Sequence, residues 1–236
     1  MTFFEFAKRN LKRHWVRTLL AVIGIVIGVV AIATLGILGN SINLMVGDMV
    51  SDVGDTLVVT PAVSGGGMFG GVSGGKLSGR QVEDIARAAG SNRVIPIATA
   101  FDRLETGNLD RGVQIYAMHA DDIPYLLERE SGTFPKETTA GILIGKQLAE
   151  AGEKDGLRAG SRVQLGGETV RVLGVLEERG LSFDINPDYA VVVPYRWFSD
   201  RYDRNDYDQV IVKVRDVRNI DSVRMDIEDR MNRRDR

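Results

Sequence analysis

From Thr18 to Gly47 the chain contains no Asp, Glu, Lys, Arg or His, and Leu19–Leu38 is almost wholly aliphatic. A helix crossing a bilayer core needs about 20 apolar residues, because each residue advances only about 1.5 Å. This run meets that length, and it constrains everything that follows. Lys8, Arg9, Lys12, Arg13 and Arg17 precede it, and the first charge after it is the acidic Asp48. Basic residues are retained on the cytoplasmic side, so the N-terminus is expected inside and the remainder outside. The rival reading is a cleaved leader, since Ala31-Ile32-Ala33 fits an A-x-A cleavage pattern. Against it, the chain stays apolar through Thr34–Leu38, where a polar segment should precede the cut. An uncleaved anchor over 18–40 is therefore expected.

Residues 3–17 separate on a helical wheel. Phe3, Phe4, Ala7, Leu11 and Trp15 share one arc and Lys8, Arg9, Lys12, Arg13 and Arg17 the opposite one, with Phe6 among the basic residues. That pattern suits a helix in the membrane interface, with basic groups toward anionic lipid headgroups. Within the anchor, Gly24 and Gly28 form a G-x-x-x-G step that Ala21 and Ala31 extend. Small side chains let helices approach closely, so the stripe either docks a second helix or reflects the frequency of glycine in membrane spans.

Beyond the anchor the balance is acidic: residues 18–236 hold 25 Lys/Arg against 31 Asp/Glu. Nucleic-acid binding wants the opposite sign, and none is expected. There are no cysteines, which excludes disulfides and thiolate metal sites. Asp55–Pro61 reads as a strand, and 64–75 (SGGGMFGGVSGG) as a flexible loop whose Met68 and Phe69 could touch a substrate or partner. That loop lacks the Gly-Lys-Ser/Thr ending of a phosphate-binding loop, and Gly141–Gln147 misses the same pattern.

Ser78 and Gln81 make a capping box before a helix over Gln81–Ala89. Strands are expected at Val94–Ala100, Gly112–Met118, Tyr189–Val193 and Gln209–Val214, the last alternating as a half-buried strand does. Helices are expected at Asp121–Glu130, Gly145–Ala151, Tyr195–Arg201 and Ile220–Met231. Arg162–Leu165, Gly166-Gly167 and Glu168–Leu176 spell a hairpin, since paired glycines supply the positive φ of a two-residue turn. The fold class is α+β, one N-terminal membrane helix followed by a mixed α/β domain.

No catalytic constellation stands out. His119, followed by Asp121 and Asp122, reads as a surface strand end rather than a general base. Asp200, Asp203, Asp206 and Asp208 lack the glycine and closing glutamate of a calcium loop, and with Arg201 and Arg204 read as a solvated charged loop. No cofactor or metal is expected in this chain.

The run Ala7–Val30, with Arg17-Thr18 leading into Ile23-Gly24-Ile25-Val26-Ile27-Gly28-Val29, resembles the start of MacB/FtsX-type ABC transporter permeases. Asp55–Val59, Ala140–Leu148, Gly156–Gly160, Val172–Leu176 and Val191–Pro194 follow in the order of that family's exterior domain. The resemblance implies an exterior domain over 48–232, with a porter-like βαβ lobe and a smaller β-rich insertion near 141–179. It also implies a permease subunit that relays the work of a separate ATPase, which would bind ATP and Mg, to the outer side of the membrane. Peptides, lipoproteins or amphipathic drugs would be exported or extracted. A second permease copy and an exterior adaptor are the further partners implied. Family members carry three more spans after this domain, so the chain is expected to be a truncated permease or a single-span relative. The alternative is an anchored exterior binding or scaffold module without transport.

Overall fold

The computed structural model describes residues 15–53, 55–61, 75–107, 109–152, 156–180, 182 and 184–234. The chain divides into two units, Met1–Ser51 and Asp52–Arg236. The first holds all but the last two residues of the helix α1 (Trp15–Val53), which runs beyond the apolar stretch that begins it.

The second unit is built on a nine-stranded sheet. Its strands are β1 (Thr56–Val59), β3 (Arg93–Thr106), β4 (Leu109–Met118), β5 (Arg129–Gly132), β6 (Ile142–Ile144), β7 (Arg162–Leu165), β8 (Glu168–Leu176), β9 (Ala190–Pro194) and β11 (Gln209–Lys213). Two short strands, β2 (Leu77–Ser78) and β10 (Asp206–Tyr207), pair apart from it. The helices are α2 (Gly79–Ala89), α3 (Ile123–Leu126), α4 (Lys146–Glu150), α5 (Tyr195–Tyr202) and α6 (Ile220–Arg234), with a 3₁₀ turn at Val217–Asn219 before the last.

Strand order is β1-β11-β3-β4-β9-β6-β8-β5, and β7 bridges β8 back to β3. The path β3-β4-β9-β6-β8-β7 thus returns to its start and closes a circuit. Pairs are antiparallel except β4 with β9 and β6 with β8. Residues 141–179, the expected insertion, supply β6, α4, β7 and β8, and these strands pair with β9 and β3 outside the segment. One buried cluster, including Ile115, Val172, Val191 and Phe198, fills one side of the sheet and extends under α2 and α6. A second, with Ile95, Leu143, Val192 and Ile211, covers the other side.

Local chemistry explains the elements that match expectation. Ser78 Oγ accepts the Gln81 N–H at 3.4 Å and Gln81 Oε1 accepts the Ser78 N–H at 2.9 Å, the reciprocal bonds of a capping box. Gly166 and Gly167 take φ of 57° and 82° in the β7–β8 turn. Val223 and Ile227 bury one face of α6.

Three expectations need correction. The helix over Asp121–Glu130 is only Ile123–Leu126; Leu127 turns extended, and Arg129–Gly132 is recruited as β5 by pairing with β8. The strand expected at Val94–Ala100 continues to Thr106, because β4 offers a continuous partner from Leu109 to Ala117. Gln209–Lys213 is not half-buried: Val210, Ile211 and Val212 are all inaccessible, since β11 lies between β1 and β3 with apolar clusters on both faces.

Candidate functional site

The membrane anchor is the first functional feature. Trp15–Leu38 supplies 24 apolar-rich residues, at about 1.5 Å each enough for a hydrocarbon core of about 30 Å. Its large side chains are exposed all round, Leu20 at 65%, Ile25 at 68% and Ile32 at 74%. A helix apolar on every side needs an apolar surround. Thr34 Oγ1 donates to the Val30 carbonyl at 2.8 Å, which satisfies its hydroxyl within the helix. Ala21, Gly24, Gly28 and Ala31 fall within an arc of about 80° at 100° per residue. A Cβ at Gly24 or Gly28 would meet nothing within 4 Å, so the stripe is open. Trp15, exposed, and Arg17 stand at the start of α1. Lys8, Arg9, Lys12 and Arg13 lie outside the described residues, as do Met68 and Phe69.

Of the expected solvated charged loop, Asp200, Arg201 and Asp203 are exposed, whereas Arg204, Asp206 and Asp208 are half-buried and bonded. Asp208 Oδ2 accepts the Thr99 N–H at 2.7 Å and an Arg204 N–H at 3.1 Å, and its other oxygen meets Lys76. Arg204 also donates to the Thr99 carbonyl at 2.8 Å and to Asp206 at 2.6 Å. Burial alone would raise the Asp208 carboxyl, but hydrogen bonds from Lys76, the Thr99 N–H and Arg204 outweigh it and hold it below the ordinary carboxylate range. Asp203 adopts φ of 50° to close α5. These carboxylates fasten the α5–β10 segment to β3 and leave no open ligand set.

His119 follows β4, as expected of a strand end. Its Nδ1 lies 3.7 Å from Glu137 Oε1, and its ring centroid is 5.3 Å from that of Tyr195. Glu137 accepts the Ala120 N–H at 2.7 Å and the Arg196 N–H at 3.2 Å, so it ties the end of β4 to the start of α5. A second polar knot holds the loop before β9. Asp188 accepts the N–H groups of Arg179 and Gly180 at 2.9 and 2.8 Å, and the buried Asp184 carboxylate accepts from Arg179 at 2.9 Å. Sequence reading missed this loop, whose only signal is Asp184 and Asp188 in an otherwise unpatterned stretch.

Among the described residues, no group of three or more His, Asp and Glu is placed to hold a metal. The clefts described are open and rimmed by charge. One of about 520 Å³ lies between α2 and α6, lined by Arg87, Asp226, Arg230 and Arg233. Another of about 360 Å³ is lined by Tyr125, Leu127, Glu177 and Lys213. Small-molecule pockets are mostly apolar and enclosed.

An apolar helix followed by this mixed α/β domain defines a membrane-anchored protein with a domain of the periplasmic permease class. Residues 18–230 match the MacB-like periplasmic core domain, and the chain belongs to that family. An uncharacterized ABC transporter permease of Methanocaldococcus jannaschii is 23% identical over 99% of this chain and 59% of its own length. A macrolide export ATP-binding/permease protein MacB of Marinobacter nauticus is 29% identical over 94% of this chain and 36% of its own. The chain thus spans about three-fifths of the first relative and about a third of the second. Among solved structures, the periplasmic region of MacB from Actinobacillus actinomycetemcomitans is similar in fold, with a TM-score of 0.54 at 16% identity, over 69% of this chain and 75% of that one. The extracellular domain of the noncanonic ABC-type transporter YknZ from Gram-positive bacteria gives 0.51 at 21% identity, over 63% and 78%.

Proposed function

We propose that this chain is the anchor and exterior domain of a permease subunit of a MacB/FtsX-type ABC transporter. One observation carries the reading: the family match runs unbroken from Thr18 to Arg230, across the apolar helix and the exterior domain together. In this reading residues 1–17 form a basic segment on the inner lipid surface, 18–40 cross the membrane once, and 48–232 lie outside. A separate ATPase, binding ATP and Mg, supplies the energy. A second permease copy packs along the Ala21/Gly24/Gly28/Ala31 stripe, and an exterior adaptor receives the cargo. The exterior domain relays motion through a rigid sheet, because its closed strand circuit resists bending. Relatives named for macrolide export make an amphipathic drug the first cargo to try, with peptides and lipoproteins next.

Co-purification from lipid nanodiscs tests the proposal. The chain, within its native membrane assembly, should retain an ABC ATPase whose ATP hydrolysis rises in its presence. Recovery of the chain without any ATPase, together with capture of an exterior protein, would instead establish a membrane-anchored binding module.

A further inference from the structure

We draw no further inference here: the strongest candidate, the open cleft of about 360 Å³ where Glu128 and Glu177 lie with Tyr125 and Lys213, is a cluster of acids whose geometry alone does not name a ligand, and nothing in the structure shows what would fill it.

Discussion

The α-carbon of Gly145 is pressed against the backbone of Pro187: a Cβ there would stand 1.9 Å from the Pro187 carbonyl oxygen and 2.4 Å from that of Asp188. The glycine is required by space and not by conformation, because its φ of −67° suits any residue. Its N–H donates to the Ala190 carbonyl at 3.0 Å, and the Leu148 N–H to the Asp188 carbonyl at 2.9 Å, so the loop entering β9 is laid directly on the β6–α4 junction. Neither backbone can yield as a flexible side chain would. Gly145→Ala is expected to destabilise the exterior domain by about 2–4 kcal/mol, read from urea unfolding. Gly167→Ala makes the comparison, because nothing stands within 4 Å of its Cβ position. Any loss there reports its φ of 82° alone.

Asp208 makes stability depend on acid. Its carboxyl is held low in the fold, so the unfolded chain binds the proton first. The contribution is complete above the ordinary carboxylate pKa of about 4 and is lost as pH falls through the lower folded value. Melting temperature should therefore be insensitive to this group from pH 7 to 5 and decline below about 4. Asp208→Asn should cost about 1–3 kcal/mol at pH 7, since Lys76 and Arg204 lose a charged acceptor, and should flatten the acid decline. A decline of unchanged steepness in the variant would remove Asp208 as its source.

The Ser78–Gln81 box provides a smaller, local test. Ser78→Ala removes the acceptor for one N–H at the start of α2 and is expected to cost about 1 kcal/mol. Gln81→Ala should cost less, because the exposed Ser78 N–H can bond to water instead. Paired thermal denaturation curves decide the order.

In the anchor, Gly24→Leu with Gly28→Leu should leave insertion intact and abolish close helix association. Leucine favours the bilayer more than glycine does, but it fills the surface through which a second helix would approach. Energy transfer between labelled copies in nanodiscs should drop in the double variant and persist in Ile25→Leu, which lies off the stripe. Equal transfer in all three places the association elsewhere.

A protease added outside intact cells should cleave the domain and spare the apolar helix, if the basic flank sets the orientation. Protection of the domain would reverse the assigned topology.

Elements whose cause is local were legible in the chain. The capping box needs only Ser78 and Gln81 three apart, and the β7–β8 hairpin needs only Gly166-Gly167 between apolar strands. The anchor needs only length and the want of charge. Features that rest on distant partners were not legible. Arg129 and Glu130 read as the end of a helix until β8 stands opposite, with Leu176 across from Arg129. Asp208 reads as a solvated acid until Thr99, 109 residues earlier in the chain, offers its N–H. Arg162 and Arg171 look like unremarkable strand surface until the register sets them side by side.

By itself, then, the sequence determined that an uncharged helix tethers a mixed α/β domain, because hydrophobic length, turn glycines and caps act within a few residues. Only the tertiary structure decided that β7 closes the strand circuit onto β3, that β11 is buried on both faces, and which charges are matched or left facing outward. Those outcomes depend on pairing between segments far apart in the chain, and the free energy of each pair exists only once the other strands are in place.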